Sequence, residues 1–411
     1  MSKKHNVFVS GNEAVALGVR LASPHFIAAY PITPQTVVVE RLSEMVEDGS
    51  LATEFMQVES EHSALSAAMG ASAVGARTFT ATSSQGLLYM AECLHYASGG
   101  RFPIVMMNAN RSVALPWSIY GDQRDSLSLL DSGWLQVYVE DAQESLDMII
   151  QAFAIAEDSR VLTPIMVNLD GFVLTHTYEL VEVPEVEAVK AFLPDYATPY
   201  AFDFAAPKNI AFSSSPANNM EFKYQQHQAA LHAKEVIAEV DRAFAEQFGR
   251  SYGGMLEQYC CADAEYILVT LGSITGTARM VVDELRGQGR KVGLCKLRFL
   301  RPFPEQELSA AVAHGKAIGV LEKNISFGYE GTVYTNVNSA IVKTGKAPVM
   351  LNFVAGLGGR DISKNDIVTM FDLLESEYEK RQSGNAVEFV HFINLQVETG
   401  AVCEVGGDDD E

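Results

Sequence analysis

Cysteine is scarce in this sequence of 411 residues, and its five cysteines form no recognisable metal or disulfide pattern. Their number is odd, their spacing is irregular, Cys260 and Cys261 are adjacent, and no C-x-x-C motif occurs. Zinc ribbons and iron–sulfur clusters need cysteine ligands at short regular spacings, so the chain encodes neither. We therefore interpret the cysteines as buried or idle thiols in a reducing compartment.

Long apolar runs and basic residues are also scarce. No segment approaches the roughly 20 strongly apolar residues of a membrane-spanning helix, and the first residues lack the apolar core of a signal peptide. These absences predict a cytoplasmic protein with no membrane partner. Lysine and arginine total 30, against 52 aspartate and glutamate residues, which leaves a net charge of −22. Because binding to a phosphate backbone needs a basic surface, we expect no nucleic-acid partner.

Several motifs of common enzyme classes are missing. The sequence contains no H-E-x-x-H, no G-x-S-x-G and no P-loop. It also lacks the Gly-Asp-Gly motif with a downstream asparagine that would bind magnesium diphosphate. The nearest string, Leu169-Asp170-Gly171, lacks the first glycine. We therefore predict no metal site on this chain.

The sequence does contain a regular alternation of short apolar strands and longer helices. In the first half, strands predicted at residues 26–30 and 78–81 alternate with helices predicted at 35–47, 61–75, 85–97 and 142–157. The pattern resumes with a strand predicted at residues 266–271. Strands and helices of these lengths, in alternation, predict an α/β fold with mostly parallel sheets covered on both faces.

Changes in this pattern divide the chain into four segments. Residues 1–180 form a first α/β unit, 181–255 a connector with a long helix, 256–380 a second α/β unit, and 381–411 a C-terminal extension with an acidic tail. The connector is rich in proline, but its phenylalanines need burial, so we predict that it packs on the surface of the protein. These phenylalanines are Phe192, Phe202, Phe204 and Phe212.

A rigid loop follows the strand predicted at residues 26–30. In the string Tyr30-Pro31-Ile32-Thr33-Pro34, two prolines restrict the backbone at the carboxyl end of a strand, where open α/β sheets bind ligands. The same string is also typical of a plain helix start, with Thr33 as N-cap and Pro34 in the first turn. The residues alone favour neither interpretation.

The helix predicted at residues 61–75 has an unusual composition. Two acids, Glu59 and Glu61, stand at its beginning, and almost all its other residues are small. A helix without bulky side chains allows another backbone or a flat ligand to approach closely, so one acid is a candidate for a dry subunit contact. The alternative is an acid that the helix dipole favours in the first turn.

Hydroxyl groups are concentrated where the strand predicted at 78–81 ends. The string Thr80-Ala81-Thr82-Ser83-Ser84-Gln85-Gly86 predicts a hydrogen-bonding rim, or simply helix capping by Ser83 or Ser84. In the second unit, residues 272–276 join a strand to a helix and predict either a phosphate cradle or a structural turn.

Arg111 is the only cation between residues 102 and 123. It follows a predicted strand and lies among apolar neighbours, where an arginine can hold a carboxylate by two parallel hydrogen bonds. The alternative is a structural salt bridge to Asp122 or Asp125. Trp117 brings a large aromatic ring near the same segment, either as packing or as part of a pocket.

Taken together and in order, strings throughout the chain resemble the alpha subunit of the 2-oxoacid:ferredoxin oxidoreductases, the thiamine-diphosphate family that includes pyruvate:ferredoxin oxidoreductase. The resemblance runs from about residue 5 to residue 375. The matching strings are Gly11-Asn12-Glu13-Ala14, Tyr30-Pro31-Ile32-Thr33-Pro34, Ser60-Glu61-His62, Phe79 to Leu87, Gly121-Asp122 with Asp125, Asp131-Ser132-Gly133-Trp134, Asp170-Gly171-Phe172 with His176, Leu300-Arg301-Pro302-Phe303-Pro304, and Gly356 to Asp361.

The resemblance implies a fold and roles for particular residues. It implies a thiamine-diphosphate-binding parallel-sheet domain of the pyrimidine type, followed by a transketolase C-terminal-like α/β domain. Glu61 matches the catalytic glutamate that contacts the aminopyrimidine ring, while Arg111 and Thr33 match residues beside the substrate carboxylate and keto group. The residues implied to border the cofactor are Tyr30, Pro31, Ser84 and Gln85.

The resemblance also implies that the chain supplies half of an active site. Thiamine diphosphate would be shared with a beta subunit that carries the diphosphate and Mg²⁺ site, and [4Fe-4S] clusters would lie on other subunits, with gamma and ferredoxin-like delta subunits completing the complex. The implied reaction converts a 2-oxoacid (pyruvate, or an aromatic acid such as phenylglyoxylate) and coenzyme A into acyl-CoA and CO2, with electrons passing to ferredoxin or NAD. The alternative is a non-catalytic binding or assembly subunit on the same fold.

Overall fold

A computed structural model describes residues 5–207, 209 and 213–396 of the chain. The apolar runs of the first half form a sheet of seven strands in the order β12-β6-β7-β5-β4-β2-β3. All neighbouring pairs are parallel except β12 with β6. The strands are β2 (Phe26–Ala29), β3 (Glu54–Gln57), β4 (Thr78–Thr82), β5 (Val105–Asn110), β6 (Leu135–Tyr138), β7 (Ile165–Asp170) and β12 (Phe299–Arg301).

Helices cover both faces of this sheet, because its central strands are apolar on both sides. A helix predicted at residues 85–97 is observed as two, with Met90 between them. The helices are α1 (Gly11–Ala22), α2 (Thr36–Glu47), α3 (Glu61–Ala73), α4 (Ser84–Tyr89), α5 (Ala91–Gly99), α6 (Arg124–Leu127), α7 (Ala142–Glu157), α8 (Val173–His176) and α9 (Val186–Phe192).

The connector lies against the first unit. Strand β8 (Tyr178–Val183) pairs antiparallel with β1 (His5–Ser10), and the long helix α10 runs over Pro216–Phe248. Phe192 is half-buried and packs against the core beside this helix, but the expectation of burial is wrong for Phe204, which is 83% exposed. Phe212 and the acidic tail lie outside the described residues.

The second unit is a six-stranded sheet in the order β15-β14-β13-β10-β11-β9, parallel except for the edge strand β9. Its strands are β9 (Leu256–Tyr259), β10 (Tyr266–Leu271), β11 (Val292–Leu297), β13 (Ala317–Glu322), β14 (Val349–Val354) and β15 (Val390–Phe392). Its helices are α11 (Ile274–Gly287), α12 (Glu305–Val312), α13 (Thr332–Val342) and α14 (Lys364–Gln382). The observed architecture confirms the predicted α/β class with mostly parallel sheets.

Buried ion pairs join the two units. Glu144 of α7 is fully buried and accepts hydrogen bonds from Lys296 and Arg298, each at 2.7 Å. Burial alone would raise the pKa of Glu144, but these two cations lower it to about 2. The chain itself also connects the two units here, because strand β12 directly follows β11 of the second sheet but pairs with β6 of the first sheet. Among the described helices, none is long and apolar enough to cross a membrane.

Candidate active site at the carboxyl edge of the first sheet

The candidate residues converge because parallel strands end at the same edge of a sheet. The loops that follow β2, β4 and β5, together with the start of α3, all lie at this edge. Each segment is short, and each is bonded to its neighbours by buried side chains described below. The arrangement therefore brings together residues that lie up to 80 positions apart in the chain.

Glu61 is the first residue of α3 and is only 7% exposed. A Cβ atom at position 86 would lie 2.5 Å from its Oε1 atom, so Gly86 makes room for the carboxylate. Among the described residues, the carboxylate has no hydrogen-bond or ion-pair partner. The other acid, Glu59, is exposed and accepts a hydrogen bond from Ser63 at 2.6 Å. Glu61 is a first-turn acid, as the alternative interpretation requires, but the helix dipole alone does not account for its burial without a partner.

The hydroxyl of Thr82 lies beside this carboxylate. A Cβ atom at position 86 would lie 2.7 Å from Thr82 Oγ1, and this oxygen is buried without a hydrogen-bond partner. Buried polar atoms are normally hydrogen-bonded, so the unpaired Thr82 hydroxyl beside the unpaired carboxylate of Glu61 marks a candidate ligand site.

Arg111 is 5% exposed and follows β5 directly. Its Nη1 atom donates to the Thr33 carbonyl at 2.9 Å, and its Nε atom donates to the Ser118 carbonyl at 3.2 Å. Burial lowers the pKa of the guanidinium, with the charge of Asp125 opposing the shift. Because both acceptors are neutral carbonyls, the positive charge stays available for an anion.

The alternative of a structural salt bridge for Arg111 is wrong. Asp122 instead pairs with Arg124 at 3.0 Å, and Asp125 accepts the backbone amide of Arg111 rather than its guanidinium. Trp117, predicted either as packing or as part of a pocket, has a side chain that is 66% exposed. Its ring lies 5.4 Å from the centre of the Arg111 guanidinium, in a cation–π contact.

The side chain of Gln35 fixes the loop after β2 by hydrogen bonds. The side-chain amide of Gln35 donates to the Tyr30 carbonyl at 2.9 Å and to the Ala81 carbonyl at 3.1 Å. Helix α2 begins only at Thr36, so the interpretation of Thr33 as N-cap is wrong. Thr33 is exposed, and Tyr30 and Pro31 are half-buried, all at the edge that carries Arg111.

The serines after β4 do not cap a helix with their side chains. The Ser83 hydroxyl donates to the Ala109 carbonyl at 2.7 Å, and the Ser84 hydroxyl donates to the Ser112 carbonyl at 2.7 Å. The Ser84 hydroxyl also contacts the side chain of Gln85 at 2.6 Å. The simple capping alternative is therefore wrong, and both serines tie the β4 loop to the segment around Arg111.

Asp125 binds several segments of this edge together, whereas the sequence predicts it only as a possible salt-bridge partner of Arg111. This buried carboxylate accepts the amides of Ser84 and Arg111, each at 3.1 Å, and the side chain of Asn110 at 2.8 Å. Burial raises its pKa to about 6, against the opposing effect of these hydrogen bonds. No local pattern predicts these hydrogen bonds, because their donors come from separate segments of the chain.

The turn at residues 272–276 uses its donors within the protein. The amide and the hydroxyl of Ser273 both donate to Asp170, at 2.8 and 2.6 Å. Asp170 also forms an ion pair with Lys323 at 3.1 Å. The geometry therefore favours the structural turn over the phosphate cradle.

Comparisons with known proteins identify the family and support the fold. Residues 17–242 match the family described as pyruvate flavodoxin/ferredoxin oxidoreductase, thiamine-diphosphate-binding, and residues 264–367 match the core domain II of pyruvate:ferredoxin oxidoreductase. The chain is 47% identical over 355 residues to pyruvate synthase subunit PorA of Methanothermobacter thermautotrophicus, covering 86% of this chain and 91% of the relative. It is 44% identical over 384 residues to ketoisovalerate oxidoreductase subunit VorA of Pyrococcus abyssi, covering 93% of this chain and 97% of the relative.

Among solved structures, 2-oxoglutarate:ferredoxin oxidoreductase from Magnetococcus marinus superimposes with a TM-score of 0.68 at 22% identity. The match covers 91% of this chain and 66% of that longer chain, and at this identity it supports the fold alone. The fold and the first family match define a thiamine-diphosphate-binding α/β unit followed by a second α/β unit. The chain belongs to the 2-oxoacid:ferredoxin oxidoreductase family, as an alpha subunit. The resemblance inferred from the sequence is thereby confirmed.

Proposed function

We propose that this chain supplies the acid and the substrate arginine of a thiamine-diphosphate site in a complex that converts a 2-oxoacid and coenzyme A into acyl-CoA and CO2. The observation that carries the proposal is Glu61, a residue only 7% exposed whose carboxylate has no hydrogen-bond or ion-pair partner among the described residues. A buried carboxylate is costly without a partner, so a ligand or a second subunit is expected to complete its surroundings.

The residues around Glu61 fit the aminopyrimidine part of thiamine diphosphate. When bound, this cofactor supplies the carbon nucleophile that attacks the keto group and then accepts the electron pair left by decarboxylation. Glu61 would hold a proton for a ring nitrogen, and Gly86 provides the space between Glu61 and Thr82. Tyr30, Pro31, Ser84 and Gln85 border the same edge and would exclude water from it.

Arg111 and Thr33 would receive the 2-oxoacid. The guanidinium retains its charge and lies beside the Thr33 carbonyl, which supports a role in binding the substrate carboxylate. Pyruvate is the first candidate substrate, and branched 2-oxoacids are the next, since the relatives are named pyruvate synthase and ketoisovalerate oxidoreductase subunits. An aromatic acid such as phenylglyoxylate remains a third candidate, because the exposed Trp117 ring lies beside Arg111.

The remaining components of the reaction would lie on partner subunits. We expect a beta subunit with the diphosphate and Mg²⁺ site, and gamma and delta subunits that, with iron–sulfur clusters, pass electrons to ferredoxin or NAD. Since ferredoxins are usually acidic, the net charge of −22 makes this chain a poor docking surface for one. A cytoplasmic location is supported by four described cysteines that are free thiols.

The test is the activity of the reconstituted complex with a panel of 2-oxoacids and coenzyme A. Glu61→Gln should lower 2-oxoacid-dependent reduction of the acceptor by about 100-fold or more, since acid–base groups typically contribute that much. Assembly and thermal unfolding of the complex should stay unchanged. Glu59→Gln is the matched control and should retain wild-type turnover. Near-normal turnover of Glu61→Gln would reject its catalytic role and favour the alternative of a binding or assembly subunit.

A further inference from the structure

Arg111 stands at the start of an exposed loop, residues 111–121, which we call the arginine loop. The two ends of this loop are bonded to each other, because the Ser112 amide donates to the Tyr120 carbonyl at 3.0 Å. The guanidinium of Arg124 also donates to the Ser112 hydroxyl at 2.6 Å and to the Val113 carbonyl at 3.3 Å. The position of Arg111 therefore depends on where the far end of the loop is held.

The second α/β unit holds that far end. The amide of Gly358 donates to Asp122 Oδ2 at 3.0 Å, and Asp122 pairs in turn with Arg124. The amide of Gln123 donates to the Lys323 carbonyl at 2.9 Å. Two loops of the second unit, one after β13 and one after β14, thus contact consecutive residues immediately after the arginine loop.

A buried ion pair fixes the same junction. Lys323 of the second unit lies 3.1 Å from Asp170 at the end of β7, and both residues are buried. The side-chain amide of Gln123 donates to the other oxygen of Asp170 at 3.1 Å. Because Gln123 is hydrogen-bonded through both its backbone and its side chain, these contacts fix both the position and the orientation of Gln123.

Gly359 makes a direct steric contact with the arginine loop. Its φ angle is +82°, and a Cβ atom at this position would overlap the Cβ atom of Tyr120. Tyr120 is the residue whose carbonyl accepts the Ser112 amide, next to Arg111. A side chain at position 359 would therefore push on the loop that carries the arginine.

We propose that the second α/β unit positions Arg111 through these contacts and thereby sets the affinity of the complex for the 2-oxoacid carboxylate. The inference rests on the proposed role of Arg111 in binding the substrate. Gly359 and Lys323 act as positioning residues, since neither contacts Arg111. The second unit then contributes to substrate binding as well as to assembly.

The test compares two glycine-to-alanine variants of the complex, both at positions with a positive φ angle. Gly359→Ala introduces a side chain that overlaps Tyr120, whereas at Gly345, with a φ of +72°, an added Cβ atom has no neighbour within 4 Å. Gly359→Ala should raise the KM for the 2-oxoacid at least about fivefold, with a smaller change in kcat, because displacement of a binding group weakens binding first. Gly345→Ala should keep the wild-type KM.

A second measurement reports on the loop without relying on activity. The chain has two tryptophans, the exposed Trp117 on the arginine loop and the buried Trp134, so labelling this subunit alone with 5-fluorotryptophan gives two ¹⁹F signals. In Gly359→Ala, the Trp117 signal should shift while the Trp134 signal stays in place. If Gly359→Ala fails to assemble, Lys323→Met is used in its place, with Lys323→Arg expected to restore the wild-type KM.

An unchanged KM in the Gly359→Ala or Lys323→Met complex would overturn the proposal, whatever the ¹⁹F signals do. If the wild-type complex turned over no 2-oxoacid at all, the proposed function would fail separately. The ¹⁹F spectra would then decide on the positioning alone, and an unmoved Trp117 signal would overturn it.

Discussion

Two buried carboxylates, Glu61 in the first α/β unit and Glu322 in the second, occupy similar places and have opposite surroundings. Each lies at the carboxyl edge of a mostly parallel sheet, where a helix begins. Each is also covered by a glycine, Gly86 over Glu61 and Gly331 over Glu322, and an added Cβ atom at either glycine would collide with the carboxylate. Position in the fold therefore does not distinguish them.

Their hydrogen bonds do distinguish them. Glu322 is 1% exposed and accepts the amides of Val333 and Tyr334 and the side chain of Asn352, at 2.9 to 3.0 Å. The carboxylate of Glu322 stabilises the start of α13, and both of its oxygens are already used by donors of the protein. Glu61 has no such donor among the described residues. A buried acid indicates function when its partners are missing, and structure when they are present.

The presence or absence of a partner also separates two buried cations, Arg111 and Lys323. This comparison gives the largest expected change in activity. The guanidinium of Arg111 donates hydrogen bonds only to neutral carbonyls and has no ion-pair partner among the described residues, whereas Lys323 is paired with Asp170. If the unpaired charge binds the substrate, Arg111→Ala should lower kcat/KM by about 100-fold or more, mainly through KM, which corresponds to roughly 3 kcal/mol. Steady-state kinetics of the complex with pyruvate and with branched 2-oxoacids would measure it.

Two controls sharpen this prediction. Arg111→Lys keeps the charge but not the planar fork, so its KM should fall between those of wild type and Arg111→Ala. Arg41→Ala removes an exposed arginine that pairs with Glu13 and Glu44, and its kinetics should be unchanged. Unchanged kinetics in Arg111→Ala would show that the contrast between the two cations has no functional meaning.

Glu322 should respond in the opposite way to Glu61. Glu322→Gln places an amide group against backbone N–H donors, so the free energy of unfolding should fall by about 2 kcal/mol. The activity per folded molecule should remain at the wild-type level. Denaturant unfolding of the purified chain, with activity assays on the assembled complex, would test both parts. A loss of activity in folded Glu322→Gln would break the distinction between the two carboxylates.

The pH dependence of stability gives a smaller and more specific signal. Burial raises the pKa of Glu322 from its ordinary value of 4.5 to about 7, against the hydrogen bonds that favour the charged form. The stabilising contribution of this group is therefore complete below pH 4.5 and is lost as the pH rises through 7. Between pH 6 and pH 8, the unfolding free energy should fall by about 1 kcal/mol more in wild type than in Glu322→Gln. Parallel pH profiles would contradict this.

Much of the fold follows from local patterns in the sequence. The helix α7 and the strand β10 are observed at the predicted residues 142–157 and 266–271, because their apolar spacing is regular and their ends are marked. The predictions were wrong where the structure depends on residues that are distant in the sequence. The break at Met90 and the exposure of Phe204 depend on tertiary packing that no local pattern encodes.

The same reason explains which site residues were found. Glu61 and Arg111 stand out locally, one at the start of a helix of small residues and the other as an isolated cation. Asp125 does not stand out, because its role depends on amides from Ser84 and Arg111, which are 41 and 14 positions away. Similarly, the contact between Gly358 and Asp122 spans 236 positions and requires the assembled units.

The smallest expected effect concerns Trp117, whose ring lies over the Arg111 guanidinium at an exposed site. Cation–π contacts at exposed sites contribute about 0.5–1 kcal/mol, so Trp117→Leu should raise the KM by about two- to fivefold. If the ring acts by holding Arg111, the rise should be equal for pyruvate, branched and aromatic 2-oxoacids, since all share the carboxylate. A rise confined to aromatic substrates would instead place the ring against the substrate side chain. An unchanged KM for every 2-oxoacid would remove Trp117 from the site.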